Sequence, residues 1–452
     1  MGSRHFRQVL LNTYKTTIRS KLDYGSIIYG SGKESTLKKL DPIHNTALRI
    51  ITGAFRTSPI LSILKEANEP PLKHRRKLLC IIQAIKISTI PNKSSFKNTF
   101  SARYITKYNN KKLTPKPFYY RVHKLEEELN ITFFPTIPQR KTGIPPWVMH
   151  PIEVNIDLTV YKKSDTNPVI FRNLTTETID RYRNYIHIYT DGSKTETGTG
   201  YAVITPESSL STKLAPYTSI FTAEATAINH AIKISYINSY THTIIFTDSM
   251  STLETLSSIP SDNDILLQIQ ETNHEITEKG HKIILAWIPG HVGIPGNEKA
   301  DQIAKQVANS PTSYQNIPTQ EDLIKDIRNK LKCQWESEWR NTAPPHIKNI
   351  EDAFFTENTA TILTRKEQTA ITRIRIGHSK ISHSYILSKE PIPICEHCNT
   401  TITTDHLILD CQKYNILRRK HKLEPQLKEN LTNRKLHNLL GFIKEAKLID
   451  KI

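Results

Sequence analysis

The sequence lacks a long hydrophobic run, because no stretch of about 18 uninterrupted apolar residues occurs in its 452 positions. The nearest candidate, residues 78–90, is broken by Gln83 and Lys86 and is too short to span a bilayer. The first eleven residues include basic side chains but no apolar segment of the kind that a secretory signal needs. We therefore expect a soluble, intracellular protein.

Cysteine is also scarce, and five residues are too few for a disulfide framework in a chain of this size. Cys80 and Cys333 each stand alone and are expected to be small buried apolar residues. Cys395, Cys398 and Cys411 are instead clustered near the C-terminal end, and clustering in a reducing compartment indicates a metal site.

Acidic residues are rare in the first third of the chain, so the formal net charge of +19 is unevenly distributed. Residues 1–150 hold 27 Lys and Arg against 8 Asp and Glu, whereas residues 151–184 hold five of each sign. Residues 185–310 carry a net −6 and residues 311–452 a net +6. Solubility alone accounts for a single Lys-rich run, but an excess sustained over 150 residues favours a nucleic-acid partner.

Apolar periodicity and proline content divide the chain into four predicted regions. Residues 1–90 are helical, with apolar residues at three- and four-residue intervals. Residues 91–184 form a basic, Pro-rich linker with one short helix near 122–129, since Pro115, Pro117, Pro135, Pro138 and Pro146 interrupt any longer element. Residues 185–310 form an α/β domain, and residues 311–452 are helical around the cysteine cluster.

The third region has the pattern of a mixed five-stranded sheet with flanking helices. Three strands at 185–190, 201–204 and 210–214 are joined by short Gly- or Ser-containing turns. Helices and strands then alternate, with strands at 243–247 and 282–288 and helices near 219–235, 249–256, 264–278 and 297–308.

Four acidic residues occupy positions that a catalytic cluster would need. Asp191 and Asp248 end predicted strands, Glu224 lies in a predicted helix between alanines, and Asp301 lies in the first turns of the last helix. Taken singly, such an Asp is usually a turn former or cap, and such a Glu usually faces solvent. Together at one sheet edge they would repel one another strongly unless hard cations lay between them.

The segments YTDGS at 189–193, TAEATAI at 222–228, FTDS at 246–249 and GHVGIPGNEKAD at 290–301 resemble the signature of type 1 ribonuclease H. The resemblance implies hydrolysis of the RNA strand of RNA–DNA hybrids with two Mg²⁺ ions, for which Mn²⁺ is a substitute. It implies that Asp191 bridges both ions. Asp301 completes the site of the water-activating ion, and Glu224 and Asp248 hold the ion at the leaving oxygen.

His291, in the Gly-rich segment before Asp301, matches the flexible-loop histidine of the same family, which carries protons or aids product release. The sequence departs from the family pattern at two places. Met250 stands where some members have a polar groove contact, and only residues 257–262 stand where some insert a basic helix. We therefore expect hybrid affinity to come from elsewhere in the chain, with the basic first 150 residues as its main source.

The spacing Cys395-x2-Cys398-x7-His406-x4-Cys411 supplies three thiolates and one imidazole. Four protein ligands make a closed, structural zinc site, with the first pair clasping the ion from a turn and the second pair approaching from a following helix. His397 is a competing ligand.

This cluster is similar to the C-terminal zinc region of jockey-like non-LTR retrotransposon polyproteins. The segment TRIRIGH at 372–378 also resembles the helical stretch that precedes that region. Residues 22–25 and 48–53 resemble the reverse transcriptase thumb, and Pro145-Pro146-Trp147 resembles the connector. The resemblance implies a C-terminal retrotransposon fragment that acts on element RNA and DNA, with a nuclear location.

A Tyr/Phe-x-Asp-Asp motif, which a reverse transcriptase needs to hold its metals, is absent from the sequence, so we expect no polymerase activity. Three functions compete: a ribonuclease H from a retrotransposon, a decayed remnant that binds nucleic acid without cutting, and a cellular hybrid-processing enzyme. The four intact carboxylates and His291 favour an enzyme, whereas the third function leaves the cysteine cluster unexplained.

Overall fold

The computed structural model of the protein describes residues 6–88, 105–109, 115–130, 143–145, 147–161, 166–256, 263–313, 319–355 and 363–452. These residues form two compact units. The sheet unit comprises residues described within 84–100 and 132–327, and the helical unit comprises those described within 1–83, 101–131 and 328–452. Among the described residues, no helix combines the length and the apolar character needed to cross a membrane.

The sheet unit is built on one mixed sheet with the strand order β1-β6-β5-β2-β3-β4. Strands β2, β3 and β4 pair antiparallel, whereas β2, β5, β6 and β1 form parallel pairs. The predicted mixed sheet with flanking helices is thus confirmed. The strands are β1 (Glu153–Asn155), β2 (Ile186–Lys194), β3 (Thr199–Ile204), β4 (Ser209–Leu214), β5 (His242–Thr247) and β6 (Lys282–Trp287).

Five α-helices lie wholly within the described residues of the sheet unit, and three of them begin at a side chain that caps the first turn. Asn167 accepts a hydrogen bond from the backbone N–H of Val169, Ser219 accepts one from Thr222, and Asn263 accepts from Ile265 and Leu266. The helices are α1 (Pro168–Arg181), α2 (Ile220–Ile237), α3 (Met250–Leu256), α4 (Asp264–Glu278) and α5 (Pro295–Asn309).

The central parallel strands β5 and β6 are buried on both faces along most of their length, which explains their apolar runs at 244–246 and 283–287. Ile245 and Leu285 belong to the apolar core that includes residues of α2 and α4. Ile244 and Phe246 belong to a second core, which contains Phe171 of α1 and residues that follow β6.

The sixth strand corrects the prediction of a five-stranded sheet. Strand β1 lies in the region predicted as a linker and pairs with β6 in parallel through three residues. Helix α1 lies in the same region, with Phe171 fully buried. A three-residue strand leaves no usable alternation in the sequence, and its partner lies more than 120 residues further along the chain. Of the predicted linker prolines, Pro135, Pro138 and Pro146 lie outside the described residues, as do residues 257–262.

The helical unit contains helices from both ends of the chain. Trp335 and Trp339 are buried with Leu48 and Ile63 in one apolar core, although some 270 residues separate the pairs in sequence. Its α-helices are Phe6–Thr13, Ser20–Asp23, Ser26–Tyr29, Glu34–Leu37, Asp41–Thr52, Ile60–Ala67, Leu72–Ser88, Ile105–Asn109, Phe118–Leu129, Gln320–Thr342, Pro345–Ile350, Arg365–Ile376, Lys380–His383, Tyr385–Ser388, Asn415–Lys420, Leu427–Asn430 and Leu436–Glu445, of which Leu72–Ser88 and Gln320–Thr342 extend into the sheet unit.

The helical unit also contains shorter helical turns: the π-helices Tyr14–Arg19 and His406–Asp410, and the 3₁₀ turns Lys38–Leu40 and Gln412–Tyr414.

The two isolated cysteines differ in burial. Cys80 is buried as predicted, whereas Cys333 is exposed, so its predicted burial is wrong. The buried face of helix Gln320–Thr342 carries Leu331 and Trp335, four residues apart, and Cys333 lies midway between them on the other side.

Candidate active site and cysteine cluster

Asp191 and Asp248 are neighbours because the strands that carry them are paired. The register of β2 against β5 ends with Thr190 opposite Thr247, and each aspartate is the next residue along the chain. Strand β2 continues to Lys194, so Asp191 lies inside a strand and pairs with Ala202 of β3. The prediction that Asp191 ends its strand is therefore wrong, since pairing with β3 extends β2 beyond the apolar run.

Glu224 approaches this pair from the first turns of α2. A Cβ atom on Gly192, the residue after Asp191, would lie 2.9 Å from the Cγ of Glu224 and 2.8 Å from its backbone nitrogen. Glycine at this position thus permits the close approach of α2 to β2. Ser249 donates a short hydrogen bond to the Glu224 carboxylate, which fixes the orientation of that side chain.

Asp191 is the buried centre of the group, with 6% of its surface exposed. Its Oδ2 is buried and has no hydrogen-bond donor among the described residues. Burial is the largest cause that raises the pKa of Asp191 to about 8, and the carboxylates of Asp248, Asp301 and Glu224 contribute to the same shift in that order. The structure therefore brings together all four predicted carboxylates, and their mutual repulsion is what divalent cations between them would relieve.

Asp301 lies on α5 and has a cationic neighbour. Lys305, one turn later on the same helix, donates a hydrogen bond of 2.7 Å to its Oδ2. The Nδ1 of His291 lies 3.9 Å from the same oxygen. His291, Glu298 and Asp301 offer ligand atoms that all lie within 4.8 Å of one another. The predicted association of His291 with the carboxylate group is thus present in the fold.

Three polar contacts of this site were missed by the sequence analysis. Ser249, Glu298 and Lys305 each contact a predicted site residue or its loop. Two of them carried a usable signal: Ser249 directly follows Asp248, and Lys305 stands four residues after Asp301, the spacing of an ion pair on a helix. Glu298 accepts a hydrogen bond from the backbone of Gly293, and no sequence spacing indicates such a contact.

Residues 183–309 match the family model described as RNase H. The match spans the sheet from β2 to α5 and includes all four carboxylates and His291. The protein therefore contains an RNase H domain, the class of domain that cleaves the RNA strand of RNA–DNA hybrids. Strand β1 and helix α1 precede the matched residues.

The cysteine cluster is compact in the helical unit. Cys395, Cys398, His406 and Cys411 offer ligand atoms within 4.8 Å of one another, whereas His397 is exposed and does not join them. The Sγ atom of Cys411 lies 3.7 Å from that of Cys395 and 3.9 Å from that of Cys398. A tetrahedral zinc ion with Zn–S bonds of about 2.3 Å separates its sulfur ligands by about 3.8 Å.

The contacts of His406 also fit a metal. Its Nδ1 lies 3.4 Å from the hydroxyl of Thr400, and its Nε2 is buried without a hydrogen-bond partner among the described residues. The backbone N–H of Gln412 donates a hydrogen bond of 3.3 Å to the Sγ of Cys398. The four residues thus fit a single tetrahedral ion of the zinc type.

A third group of metal-ligating residues, His150, His274 and Glu278, lies in the sheet unit. Three of its ligand atoms already have hydrogen-bond partners. The Nε2 of His150 is hydrogen-bonded to the Glu278 carboxylate, and the backbone N–H of His150 donates to His274 Nδ1 at 3.3 Å. These hydrogen bonds attach the segment that precedes β1 to helix α4, which explains why the three residues lie close together.

Proposed function

We propose that this protein hydrolyses the RNA strand of RNA–DNA hybrids endonucleolytically, with two divalent cations at Asp191, Glu224, Asp248 and Asp301. The observation that carries the proposal is the convergence of these carboxylates around Asp191, whose buried Oδ2 has no donor among the described residues and whose pKa is raised to about 8. Such a cluster costs folding free energy unless cations offset its charge, so a catalytic use explains why the fold tolerates it.

When bound, a pair of Mg²⁺ or Mn²⁺ ions supplies activation of water and stabilisation of the leaving oxygen. Asp191 would contact both cations from its central, buried position. Asp301 would complete one site, and Glu224 and Asp248 would complete the other. The hydrogen bond from Ser249 would keep the Glu224 carboxylate oriented for that task.

His291 is proposed to carry a proton or to assist product release. Its side chain is 64% exposed, so solvent reaches the imidazole, and its Nδ1 lies 3.9 Å from the Asp301 carboxylate. Lys305 neutralises part of the Asp301 charge in the absence of cations. A side chain in this position assists the reaction rather than assembling the site.

We also propose that the cysteine cluster holds one structural zinc ion. Leu407 and Ile408, which follow His406, are buried in the apolar core of the C-terminal helices. An ion held by four protein ligands has no open position for substrate, so its role would be to stabilise this core.

A retrotransposon origin is proposed from the order of the resembling segments, which runs from thumb to connector, nuclease and zinc region. Element RNA and DNA in the nucleus would then be the partners, and the basic residues 1–150 would supply much of the affinity. The rival function is a decayed remnant that binds nucleic acid. Retention of every carboxylate and of His291 favours the enzyme.

The test is cleavage of an end-labelled RNA strand by the purified full chain in Mg²⁺, with the RNA presented alone, paired with RNA, or paired with DNA. We expect internal cuts in the hybrid alone, abolished by EDTA. Binding of the hybrid without cuts would favour the decayed remnant, and equal cutting of free RNA would contradict hybrid specificity. No primer extension is expected with any of these templates.

A further inference from the structure

The loop that carries His291 has a backbone that needs external support. It follows β6 and contains two residues in the left-handed region, His291 with a φ of 60° and Gly293 with a φ of 82°. For a non-glycine residue such as His291 this conformation is unfavourable by about 1 kcal/mol. The loop must therefore be held by contacts that offset this cost.

Part of that support comes from α1. The Nε of Arg172 donates a hydrogen bond of 3.2 Å to the carbonyl oxygen of Val292, the residue between the two left-handed positions. The guanidinium lies against Gly293, where a Cβ atom would overlap it. A planar guanidinium thus packs on the loop at the point where the chain has no side chain of its own.

Apolar contacts with the core of the sheet unit also hold the His291 loop in place. Val292 and Ile294 are buried in the core that contains Phe171, the residue before Arg172, and Leu158, which follows β1. Glu298 accepts a hydrogen bond of 3.0 Å from the backbone N–H of Gly293. The loop is thus held on one side by α5 and on the other by α1.

Arg172, Phe171 and Leu158 all precede residues 183–309, the part of the chain that matches RNase H. We propose that Arg172 is a positioning residue of the nuclease: it holds the loop so that His291 faces Asp301. This proposal rests on the proposed function. It adds a contribution from outside the matched domain.

The kinetic test is a double-mutant cycle in the full chain, with Arg172→Ala and His291→Ala made singly and together. We expect His291→Ala to lower kcat roughly 10–100-fold. Arg172→Ala should lower kcat about tenfold with KM nearly unchanged, because it removes one hydrogen bond from a charged donor that orients the loop. In the His291→Ala background the further loss should be under about twofold, since both changes act through one side chain. Independent, multiplying effects or a change confined to KM would overturn the proposal.

Arg181→Ala is the matched control, because Arg181 lies on the same helix, is 60% exposed and pairs only with Asp157 among the described residues. It should leave kcat unchanged. Arg172→Lys keeps a cation and a donor but loses the planar guanidinium, so it should give an intermediate kcat. It also provides a second variant if Arg172→Ala fails to fold.

Amide hydrogen exchange tests the positioning role without requiring cleavage. Arg172→Ala should accelerate exchange at residues 290–294 while β2 and β5 stay protected, and Arg181→Ala should change neither. Unchanged exchange at 290–294 would overturn the proposal even if the enzyme were active. If the loop loosens but the wild-type protein cuts no hybrid, the proposed function fails while the positioning contact stands.

Discussion

The two candidate metal sites of this protein are built in opposite ways. The carboxylate site draws its ligands from β2, α2, the end of β5 and α5, elements that a large apolar sheet core holds in place. The cysteine site draws all four ligands from residues 395–411, a short segment with one isolated β-bridge and one π-turn. One site is assembled by the fold, whereas the other is contained in a local segment.

The two sites also differ in how they affect the stability of the surrounding fold. The carboxylates repel one another, so the apolar core of the sheet unit must offset the free-energy cost of this repulsion, which bound cations would relieve. The cysteine segment has few buried apolar residues of its own, so an ion would supply much of its folding free energy. Loss of metal should therefore stop chemistry at the first site and loosen structure at the second.

The largest expected effect is that of Asp191→Asn on cleavage. It removes the ligand expected to contact both cations, so activity should fall by about 10³-fold or more, equivalent to about 4 kcal/mol of barrier. The measurement is the single-turnover rate on a labelled hybrid, with Asp157→Asn, at an exposed aspartate of the same unit, as the matched control. Activity within tenfold of wild type would disprove the assignment of Asp191.

The second prediction concerns Cys398→Ser. The purified protein should hold one zinc ion per chain, and this variant should lose it and expose the C-terminal helices to protease. Hybrid cleavage should remain largely intact, because the cluster belongs to a different unit from the carboxylates. Cys333→Ser, at an exposed cysteine outside the cluster, is the control for the substitution itself. Simultaneous loss of cleavage, with the sheet unit still folded, would show that the two sites act as one.

A third prediction separates affinity from chemistry. Lys73 and Arg76 lie in the basic N-terminal region beside a cavity of about 430 Å³. The double variant Lys73→Glu/Arg76→Glu should weaken hybrid binding about tenfold at low salt. The slope of log K against log salt concentration should also become shallower, by the amount expected for the loss of about two phosphate contacts. Reversing Lys233 and Lys279, in the acidic RNase H domain, should have a smaller effect. Equal losses from both pairs would contradict the division of labour inferred from the charge distribution.

The smallest expected effect is a pH dependence of stability in metal-free protein. The pKa of Asp191 is raised to about 8 in the fold, against about 3.9 in an unfolded chain. Between these two values the folded state keeps a proton that the unfolded chain has lost. The contribution of Asp191 to the free energy of unfolding is therefore full below about pH 4 and is lost as the pH rises through about 8.

Thermal unfolding in EDTA checks this sign. The Tm of the wild-type sheet unit should fall by roughly 2–5 °C between pH 6 and pH 8. In Asp191→Asn the decline should be smaller, and Mg²⁺ should raise the Tm of the wild type more than that of the variant. Identical pH profiles of the Tm for the two proteins would mean that ionisation of Asp191 is not the source of the pH-dependent loss of stability.

Much of the RNase H domain could be predicted because its signals are local and strong. Strands β5 and β6 contain continuous apolar runs, and Gly, Asn and Ser mark the turns and helix starts between the elements. The four carboxylates could be found because each belongs to a distinctive short segment. Strand β1 could not be found in this way, since three residues cannot show a period and β6 supplies its pairing.

The sequence by itself determined which residues are candidates for chemistry: the four carboxylates, His291, and the spacing of Cys395, Cys398, His406 and Cys411. Each of these can be identified from a short stretch of neighbouring residues. Tertiary structure alone decided which distant segments support them. It joined helices from both ends of the chain in one core around Trp339, and it brought Arg172 from a predicted linker onto the His291 loop. The physical reason is that motifs and caps are short-range, whereas burial is settled only when segments far apart in sequence find a shared apolar core.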